Sequence, residues 1–501
     1  MRTHKLGRKA LWLGALALLG GAGAARAQYN AGYGYPGYGQ SAYGYYPGYG
    51  YYPNYGYYNP YYYAGQGYPG SQGSQAAAPS GYPQANGYPS GTTMGLGGLP
   101  LSRDEIPDVE DPTIKPKPPV EKEPCERFWL SAGYDSSWVK PMRLNTPLIT
   151  TGSPGAPPGV DPTTYHAAGL GQPSTVVLFG DRNVDFGHIN GIRASAGLFI
   201  DDDNRVSVEG TGFVQFARHQ SYAASSDANG NPVIARPFFD ALNNTETALP
   251  AGFPMGFAPL ASTGSVSVDT RTELLGAEAN ARYDFKPAER FHLQALAGFR
   301  YLRLSESLSI QDRVTTLEPG FTFASNPLAA GDQLSDFDKF STTNQFYGGQ
   351  VGMGFGWSGK WVQVGGFGKI AVGATDQEVG ITGGSTVHSS SLGTMSAPVG
   401  LYAQPSNIGR HSRTEFDFVP EGGINFGVRL LPCLRLTCGY SFLYWNSVVR
   451  PGSQIDRVVN PQTIPSDQFF GVSGGPVRPV FRFVDENYWV HTVNVGLTFH
   501  Y

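Results

Sequence analysis

Beyond residue 127, apolar and polar side chains alternate with a period of two, and this alternation limits the fold more than any other feature of the chain. In the final stretch, one face carries Trp489, Val493, Val495, Leu497, Phe499 and Tyr501. The other face carries Thr492, Asn494, Gly496, Thr498 and His500. A period of two predicts β-strands with one apolar face, because successive side chains of a strand point to opposite sides.

Ten segments show this pattern, and the connections between them alternate in length. The segments lie near residues 127–139, 186–201, 204–219, 266–286, 289–311, 338–358, 360–376, 411–431, 433–449 and 486–501. Four connections are tight turns, whereas the other five run from about 25 to 47 residues. This alternation is typical of a closed, antiparallel up-and-down β-barrel in an outer membrane. Two further strands within 140–185 or 218–265 would make the count twelve.

Charge separates the two faces of the predicted strands. Over the apolar stretch of each segment, the more apolar face carries no Asp, Glu, Lys or Arg. A Lys or Arg facing lipid at mid-bilayer costs about 2–4 kcal/mol, whereas a charge in the lumen meets water or a partner. We therefore predict an all-β transmembrane barrel whose lumen is lined by Glu209, Glu278, Arg282, Arg300, Lys369 and Arg435.

Aromatic residues stand where a bilayer interface would place them. Near the tight turns and the last residue lie Tyr283, Phe285, Phe291, Phe355, Trp357, Trp361, Phe499 and Tyr501, and Tyr301, Tyr444 and Trp489 mark the other end. Ten residue steps at a tilt of about 40° rise about 25 Å, the height of an apolar band. The last strand, ending on Tyr501, resembles the signal read by barrel assembly machinery, and its pairing with the first strand would remove both edges.

The first 126 residues follow a different pattern. Residues 1–27 have a basic start, an apolar run and an Ala-Arg-Ala exit, which predicts a secretory signal peptide. Residues 28–102 contain 19 tyrosines and no charged residue or histidine. This composition predicts a disordered linker, or a segment whose tyrosines bind cell-wall polymer or glycan. Residues 103–126 are rich in proline and charge and predict a stiff spacer.

Overall composition excludes several classes of protein. Only 15% of residues are charged and the net charge is −4, so we expect no nucleic-acid partner. Three cysteines are too few for a disulfide framework. The sequence shows no G-x-S-x-G elbow and no metal-ligand spacing of its histidines, so we expect no catalytic residues, metal or cofactor.

One stretch is more specific than a general strand pattern. Residues 439–457 read GYSFLYWNSVVRPGSQIDR, with supporting stretches at 298–302, 344–348 and 419–422. Residues 125–501 thereby resemble the planctomycete putative beta-barrel porin-7 family. The resemblance implies an outer-membrane barrel of porin type, and it supplies neither a substrate nor a catalytic set.

The motif also has a physical interpretation of its own. Pro451 fixes φ and Gly452 permits a turn after Arg450. Together with Asp456 and Arg457, Arg450 is expected to form an ion-pair network that fastens the 450–486 loop over the barrel mouth. The alternative is that these residues recognise an anion in the lumen.

The predicted function is therefore a non-enzymatic outer-membrane barrel in contact with lipid, structural or with a narrow pore for small solutes. Barrels near eight strands are filled by their own side chains, whereas open channels have sixteen or more strands. Phe213, Leu296, Phe346 and Leu443 would narrow the bore, and a salt bridge between Glu278 and Arg300 could span it. The alternatives are a surface protease or lipid hydrolase, and a secreted adhesive or structural β protein.

Overall fold

A computed structural model describes residues 127–161, 165–257, 259–288 and 290–501. The predicted signal peptide, tyrosine-rich segment and spacer lie outside the described residues, and their roles stay predictions. In the described part of the chain, no helix is both long and apolar enough to cross a membrane.

Eighteen strands make up the described structure. In chain order they are β1 (Phe128–Val139), β2 (Met142–Thr151), β3 (Val176–Val184), β4 (His188–Phe199), β5 (Val206–Ser225), β6 (Ile234–Asp240), β7 (Thr245–Gly252), β8 (Ser262–Ala288), β9 (Phe291–Thr316), β10 (Thr322–Phe323), β11 (Asn326–Pro327), β12 (Gln333–Ser358), β13 (Val362–Ser389), β14 (Gly393–Ala397), β15 (Gly409–Leu431), β16 (Leu434–Val449), β17 (Val458–Val459) and β18 (Asp485–His500). Two short 3-10 turns follow β16 and β17, at Pro451–Ser453 and Pro461–Thr463.

Ten of these strands form a closed ring. The order around the ring is β12-β9-β8-β5-β4-β1-β18-β16-β15-β13, and β13 pairs with β12 to complete it. Every neighbouring pair is antiparallel, including the seam between β1 and β18. The predicted fold and strand count are confirmed, and all ten predicted segments fall on these strands.

The wall of the barrel has a tall side and a short side. On the tall side, β8, β9, β12 and β13 have 26 to 28 residues, whereas β1 and β4 have 12 and β16 and β18 have 16. Tight turns join strands at one end, called here the short-turn end. The long connections lie at the opposite, long-loop end.

Residues 140–185 and 218–265 do contain extra strands, but these do not enter the ring. Strands β2, β3, β6, β7 and β17 form a separate five-stranded sheet, called here the cap sheet. The alternative of a twelve-stranded barrel is therefore excluded. Their polar backbone groups pair with one another instead, within the long connections of the barrel.

The outward face of the ring is apolar over the part nearer the short-turn end, as predicted. All eight aromatic residues expected near the tight turns are exposed: Tyr283, Phe285, Phe291, Phe355, Trp357, Trp361, Phe499 and Tyr501. Inside, one buried cluster joins inward residues of the tall strands, such as Leu304 and Ile310, to cap residues such as Leu148 and Phe238. The cap sheet therefore shares its hydrophobic core with the half of the barrel nearer the long-loop end, called here the upper half.

Candidate functional site: the barrel lumen

The lumen begins at the short-turn end as an open cavity of about 630 Å³, called here the vestibule. Its lining runs from Ser358 and His500, beside the tight turns, to Glu278, Lys369 and Glu421 deeper in the ring. The space exists partly because β12 places glycines at successive inward positions of its lower half. A side chain at Gly352, Gly354 or Gly356 would project into this part of the lumen.

Charged residues in the vestibule wall are paired with neighbours. The Arg282 guanidinium on β8 donates to Glu209 on β5 at 2.6 Å and also to Gln294. Nearer the rim, Arg435 Nη1 lies 2.9 Å from His500 Nε2. On β1, Trp129 lies over Gly197 of β4, its register partner. A Cβ on Gly197 would lie 2.1 Å from the Trp129 ring, so glycine makes room for this aromatic wall.

Four charged side chains meet where the vestibule ends, and we call them the ionic layer: Glu278, Arg300, Lys369 and Glu421. Arg300 contacts Glu278 at 3.2 Å and also contacts Glu421. Lys369 Nζ contacts Glu278 at 2.8 Å and Glu421 at 3.4 Å. Each cation thus contacts both carboxylates, and the formal charges sum to zero. The Glu278–Arg300 contact expected from the sequence is present.

The ionic layer crosses the lumen because its members come from four separate strands. Glu278 is on β8, Arg300 on β9, Lys369 on β13 and Glu421 on β15, and β8 and β15 are four steps apart in the ring of ten. Each side chain is at most 10% exposed. Buried charges are stable only when they are paired, so these contacts hold the four strands in register across the bore.

Above the ionic layer, the lumen is filled by apolar and aromatic side chains, called here the apolar plug: Phe346, Ala371, Val419, Leu443 and Trp445. All are buried. The rings of Phe346 and Trp445 meet edge to face, with centroids 6.2 Å apart. The indole N–H of Trp445 donates to Asp417 Oδ2 at 2.8 Å, and that carboxylate also accepts from Thr375 at 2.8 Å. Of the residues expected to narrow the bore, Phe346 and Leu443 lie in this plug.

Above the plug, a buried ion pair joins the end of β16 to the tall side of the barrel wall, called here the tall wall. Arg450 donates to both oxygens of Glu306 on β9, at 2.8 and 2.7 Å. Its remaining Nη1 donates to the carbonyl oxygens of Lys140 and Pro141, at 3.0 and 2.8 Å. Both charged side chains are fully buried. Arg450 therefore connects three parts of the chain: the 450–484 loop, strand β9 and the segment leading into the cap sheet.

The other residues of the 450–457 motif have separate partners. Asp456 pairs with Arg478 of the same loop at 3.1 Å, and Arg457 pairs with Glu246 on β7. The expected single network of Arg450, Asp456 and Arg457 is instead three separate pairs. Pro451 and Gly452 form the 3-10 turn, and a Cβ on Gly452 would lie 2.2 Å from the carbonyl oxygen of Arg143. The close approach of the cap backbone explains the glycine.

The sequence did not reveal one further buried charge cluster. Arg236 on β6 is fully buried and contacts Asp312 on β9 together with Asp336 and Asp338 on β12. The only signal was that Asp336 and Asp338 share the inward parity of the apolar Phe340 on the same strand. Charge at inward positions among apolar neighbours indicates a buried partner, but Arg236 is too far away in sequence to be identified from that pattern.

The residue pairs that a barrel enzyme could use are engaged elsewhere. The Asp185 carboxylate accepts from the backbone N–H of Gly187 at 2.8 Å. Asp417 is held by the plug, whereas the His411 ring lies 3.0 Å from the Asn407 carbonyl and stacks on Phe481. Neither Asp185 with His188 nor Asp417 with His411 forms a catalytic pair in the described residues.

The closed ring, its apolar outer belt and its polar lower lumen define an outer-membrane β-barrel, with the short-turn end toward the periplasm. The chain belongs to the putative beta barrel porin-7 family, whose family model matches residues 129–501. It is a porin-type barrel of the outer membrane, as the sequence predicted. A comparison with curated proteins finds no match.

A comparison with solved structures returns matches of low identity and low TM-score. The outer membrane protease OmpT from Escherichia coli is 8% identical, covers 75% of this chain and 97% of its own, and gives a TM-score of 0.33. A FadL homologue from Pseudomonas aeruginosa is 7% identical, covers 75% and 90%, and gives 0.24. The toluene transporter TodX from P. putida is 10% identical, covers 75% and 90%, and gives 0.17. These likenesses are too remote to indicate a substrate or an activity.

Proposed function

We propose that this protein is a non-enzymatic, normally closed porin-type barrel that admits small hydrophilic solutes from the periplasmic side only as far as the ionic layer. The observation that carries this proposal is the four-membered ionic layer across the bore. An ion or solute that passed this level would have to replace contacts that stabilise four buried charges. Removing one partner from such a buried set is costly, so the closed state is strongly favoured.

The apolar plug supports the same conclusion from a second level. Its side chains are buried and interlocked, and hydrated ions do not cross a packed apolar layer without displacing it. The vestibule below is lined by paired charges, and its glycines leave open space. This environment suits small hydrophilic solutes better than large or apolar ones. Opening requires both levels to rearrange together, so a change that destabilises either level should raise the low probability of the open state.

The non-enzymatic part of the proposal is supported by the contacts that Asp417 and His411 make. Asp417 accepts hydrogen bonds inside the plug, and His411 stacks against Phe481. A general base must reach the proton that it removes from a substrate. Neither group is placed to do so at the surface. Hydrolase assays on the purified barrel, with protein and lipid substrates, would contradict this part of the proposal if they showed turnover.

Planar-bilayer recording of the full-length protein tests the closed state. We expect the wild-type barrel to give low conductance, because both levels block the bore. Two matched variants should raise it: Glu421→Gln leaves the ionic layer with one excess positive charge, and Lys369→Met leaves one excess negative charge. We expect the first to favour anions and the second to favour cations.

The control is Glu378→Gln, which removes a carboxylate from an exposed pair with Arg410 on the outer wall. Its conductance should match the wild type. Large, stable conductance of the wild-type barrel would refute the closed state. Equal conductance and equal ion selectivity in all variants would show that the ionic layer does not lie on the path.

A further inference from the structure

The Arg236 cluster, made of Arg236, Asp312, Asp336 and Asp338, lies outside the ionic layer and has a charge problem of its own. The single guanidinium contacts Asp312 at 3.0 Å, Asp336 at 2.6 Å, and Asp338. The Arg236 and Asp338 side chains are fully buried, and the other two carboxylates are at most 12% exposed. One positive charge therefore faces three acidic groups where water cannot screen them.

The backbone register increases this repulsion. Asp336 is the direct cross-strand partner of Asp312 on β9 and of Ser385 on β13. Two ionised carboxylates directly opposite each other on neighbouring strands destabilise a sheet. Asp338 Oδ1 accepts from the backbone N–H groups of Tyr402 and Ala403, at 3.0 and 2.7 Å, and Asp338 Oδ2 accepts from Arg236.

Hydrogen-bond accounting at Ser385 points to the group that is neutral. Ser385 Oγ lies 2.6 Å from the carbonyl oxygen of Val399 and 2.8 Å from Asp336 Oδ2. A hydroxyl has one hydrogen to donate, and a carbonyl oxygen can only accept. If Ser385 donates to Val399, the second contact has a hydrogen only when Asp336 supplies it. A protonated Asp336 donating to Ser385 satisfies all three oxygens.

We propose that Asp336 carries a proton at neutral pH and that this proton holds the cap sheet and the 390–408 loop against the tall wall. The hydrogen-bonded series runs from Asp336 on β12 to Ser385 on β13 and on to Val399 in the loop. On the other side, Asp336 contacts Arg236 of the cap sheet. Loss of the proton breaks the series and leaves three carboxylates around one guanidinium.

The surroundings favour the neutral acid. Burial, with the carboxylates of Asp312 and Asp338, raises the pKa of Asp336 well above its usual value, and Arg236 only partly opposes this. The remaining facing groups are Ser385 and the ring of Tyr402, which lies 4.9 Å from the Arg236 guanidinium. On β12, Asp336 lies eleven residues closer to the long-loop end than Tyr347, where the apolar band ends. Asp336 is therefore outside the bilayer, on its outer side.

The direction of the pH effect follows from the raised pKa. We call the cap closed when the cap sheet and the 390–408 loop pack against the tall side of the wall, and open when they do not. An unfolded Asp loses its proton near pH 4, whereas Asp336 in the closed cap retains it to higher pH. The closed cap therefore binds more protons than the open one. Its stability is fully present below the ordinary Asp pKa and is lost as the pH rises toward the pKa in the closed cap. One proton changes the closing equilibrium by at most about tenfold per pH unit.

Infrared spectroscopy of the full-length protein in lipid tests the proton directly. At neutral pH, the wild-type spectrum minus that of Asp336→Asn should contain the C=O stretching band of a protonated carboxylic acid. Asp312→Asn should retain this band, and so should Asp376→Asn, which changes an exposed carboxylate as a control. A difference spectrum with carboxylate bands only, or loss of the band in Asp312→Asn but not in Asp336→Asn, would overturn the proposal.

Hydrogen exchange of the β6 amides then tests the consequence. Expressed as protection factors, which remove the intrinsic pH dependence of amide exchange, protection in the wild type and in the control Asp376→Asn should fall together as the pH rises. The side-chain amide that Asp336→Asn introduces can donate to Ser385 at every pH, so that variant should lose the dependence. Heat-modifiable gel mobility shows whether each variant has folded as a barrel. A folded Asp336→Asn protein with the wild-type pH dependence would contradict the role assigned to this proton, whether or not the barrel conducts.

Discussion

The lower and upper halves of the lumen are built from the same ten strands but have different physical character. Below the ionic layer, most inward positions are charged, amide-bearing, hydroxyl-bearing or glycine, with a few apolar residues such as Trp129 and Leu296, and they surround open space. Above it, inward positions such as Leu304, Leu308 and Ile310 are apolar and fully buried. Strand alternation is thus maintained along the full length of β9, while the inward environment changes from wet to dry. An inward position in a barrel does not by itself imply contact with water.

The cap sheet explains where the change occurs. The tall strands continue past the short ones, and their inward faces would be open to solvent if nothing covered them. Leu148 and Phe238 of the cap sheet pack there, so apolar residues are favoured at these positions. A buried charge in the dry half needs a partner, as with Arg450 and Glu306.

The largest effect is expected from Trp445→Ala in the dry half. This change removes a fully buried aromatic and leaves the Asp417 carboxylate with one hydrogen bond fewer. We expect the free energy of unfolding in lipid to fall by about 3–5 kcal/mol. Denaturant titration measures it, with Trp445→Phe as the matched control that keeps most of the packing. A loss below about 1 kcal/mol would mean that the plug is loosely packed.

A slightly smaller effect is expected from Arg450→Met, because much of its packing volume is retained. Glu306 would be left buried without its partner, and we expect this to cost about 3 kcal/mol. The double variant Arg450→Met with Glu306→Leu should recover most of this loss, since an apolar pair can replace a buried ion pair. No recovery in the double variant would show that the backbone contacts of Arg450 matter more than its charge.

The smallest effect is expected in the wet half, from Arg282→Gln. Its pair with Glu209 is partly exposed, at 24% and 14%, and water can solvate the remaining carboxylate. We expect a loss of about 1 kcal/mol or less in the free energy of unfolding. A loss as large as that of Arg450→Met would show that the vestibule is as dry as the upper lumen, and the contrast between the halves would fail.

Local alternation was enough to predict the barrel. On β9, Phe291 to Tyr301 already identify the outward face, and the four tight turns fix the antiparallel order. The predicted inward charges Glu278, Arg300 and Lys369 meet as part of one layer, because strands that are neighbours in the ring bring equal heights together. These features depend on residues close in sequence or on a simple ring topology.

Pairings across the cap were not predictable in the same way. Arg450 was expected to pair within its own loop, but its partner Glu306 lies 144 residues earlier in the chain. Arg236 and Asp338 are 102 residues apart. Such contacts depend on how the long connections fold back into the ring, and strand periodicity contains no information about that. The side chains of Phe346 and Leu443 were expected to narrow the bore, but the cap sheet that covers the upper lumen was not predicted, for the same reason.

The seam between β1 and β18 has a consequence for the timing of biogenesis. Trp129 aligns with His500, and the backbone N–H groups of Arg127 and Phe128 donate to the carbonyl oxygen of Tyr501. The ring can therefore be completed only when the last strand is available, after a contact of very high sequence separation, which makes closure slow. Until then, two unpaired strand edges remain, and any chain truncated before β18 should be held as an unfinished substrate rather than released into the bilayer.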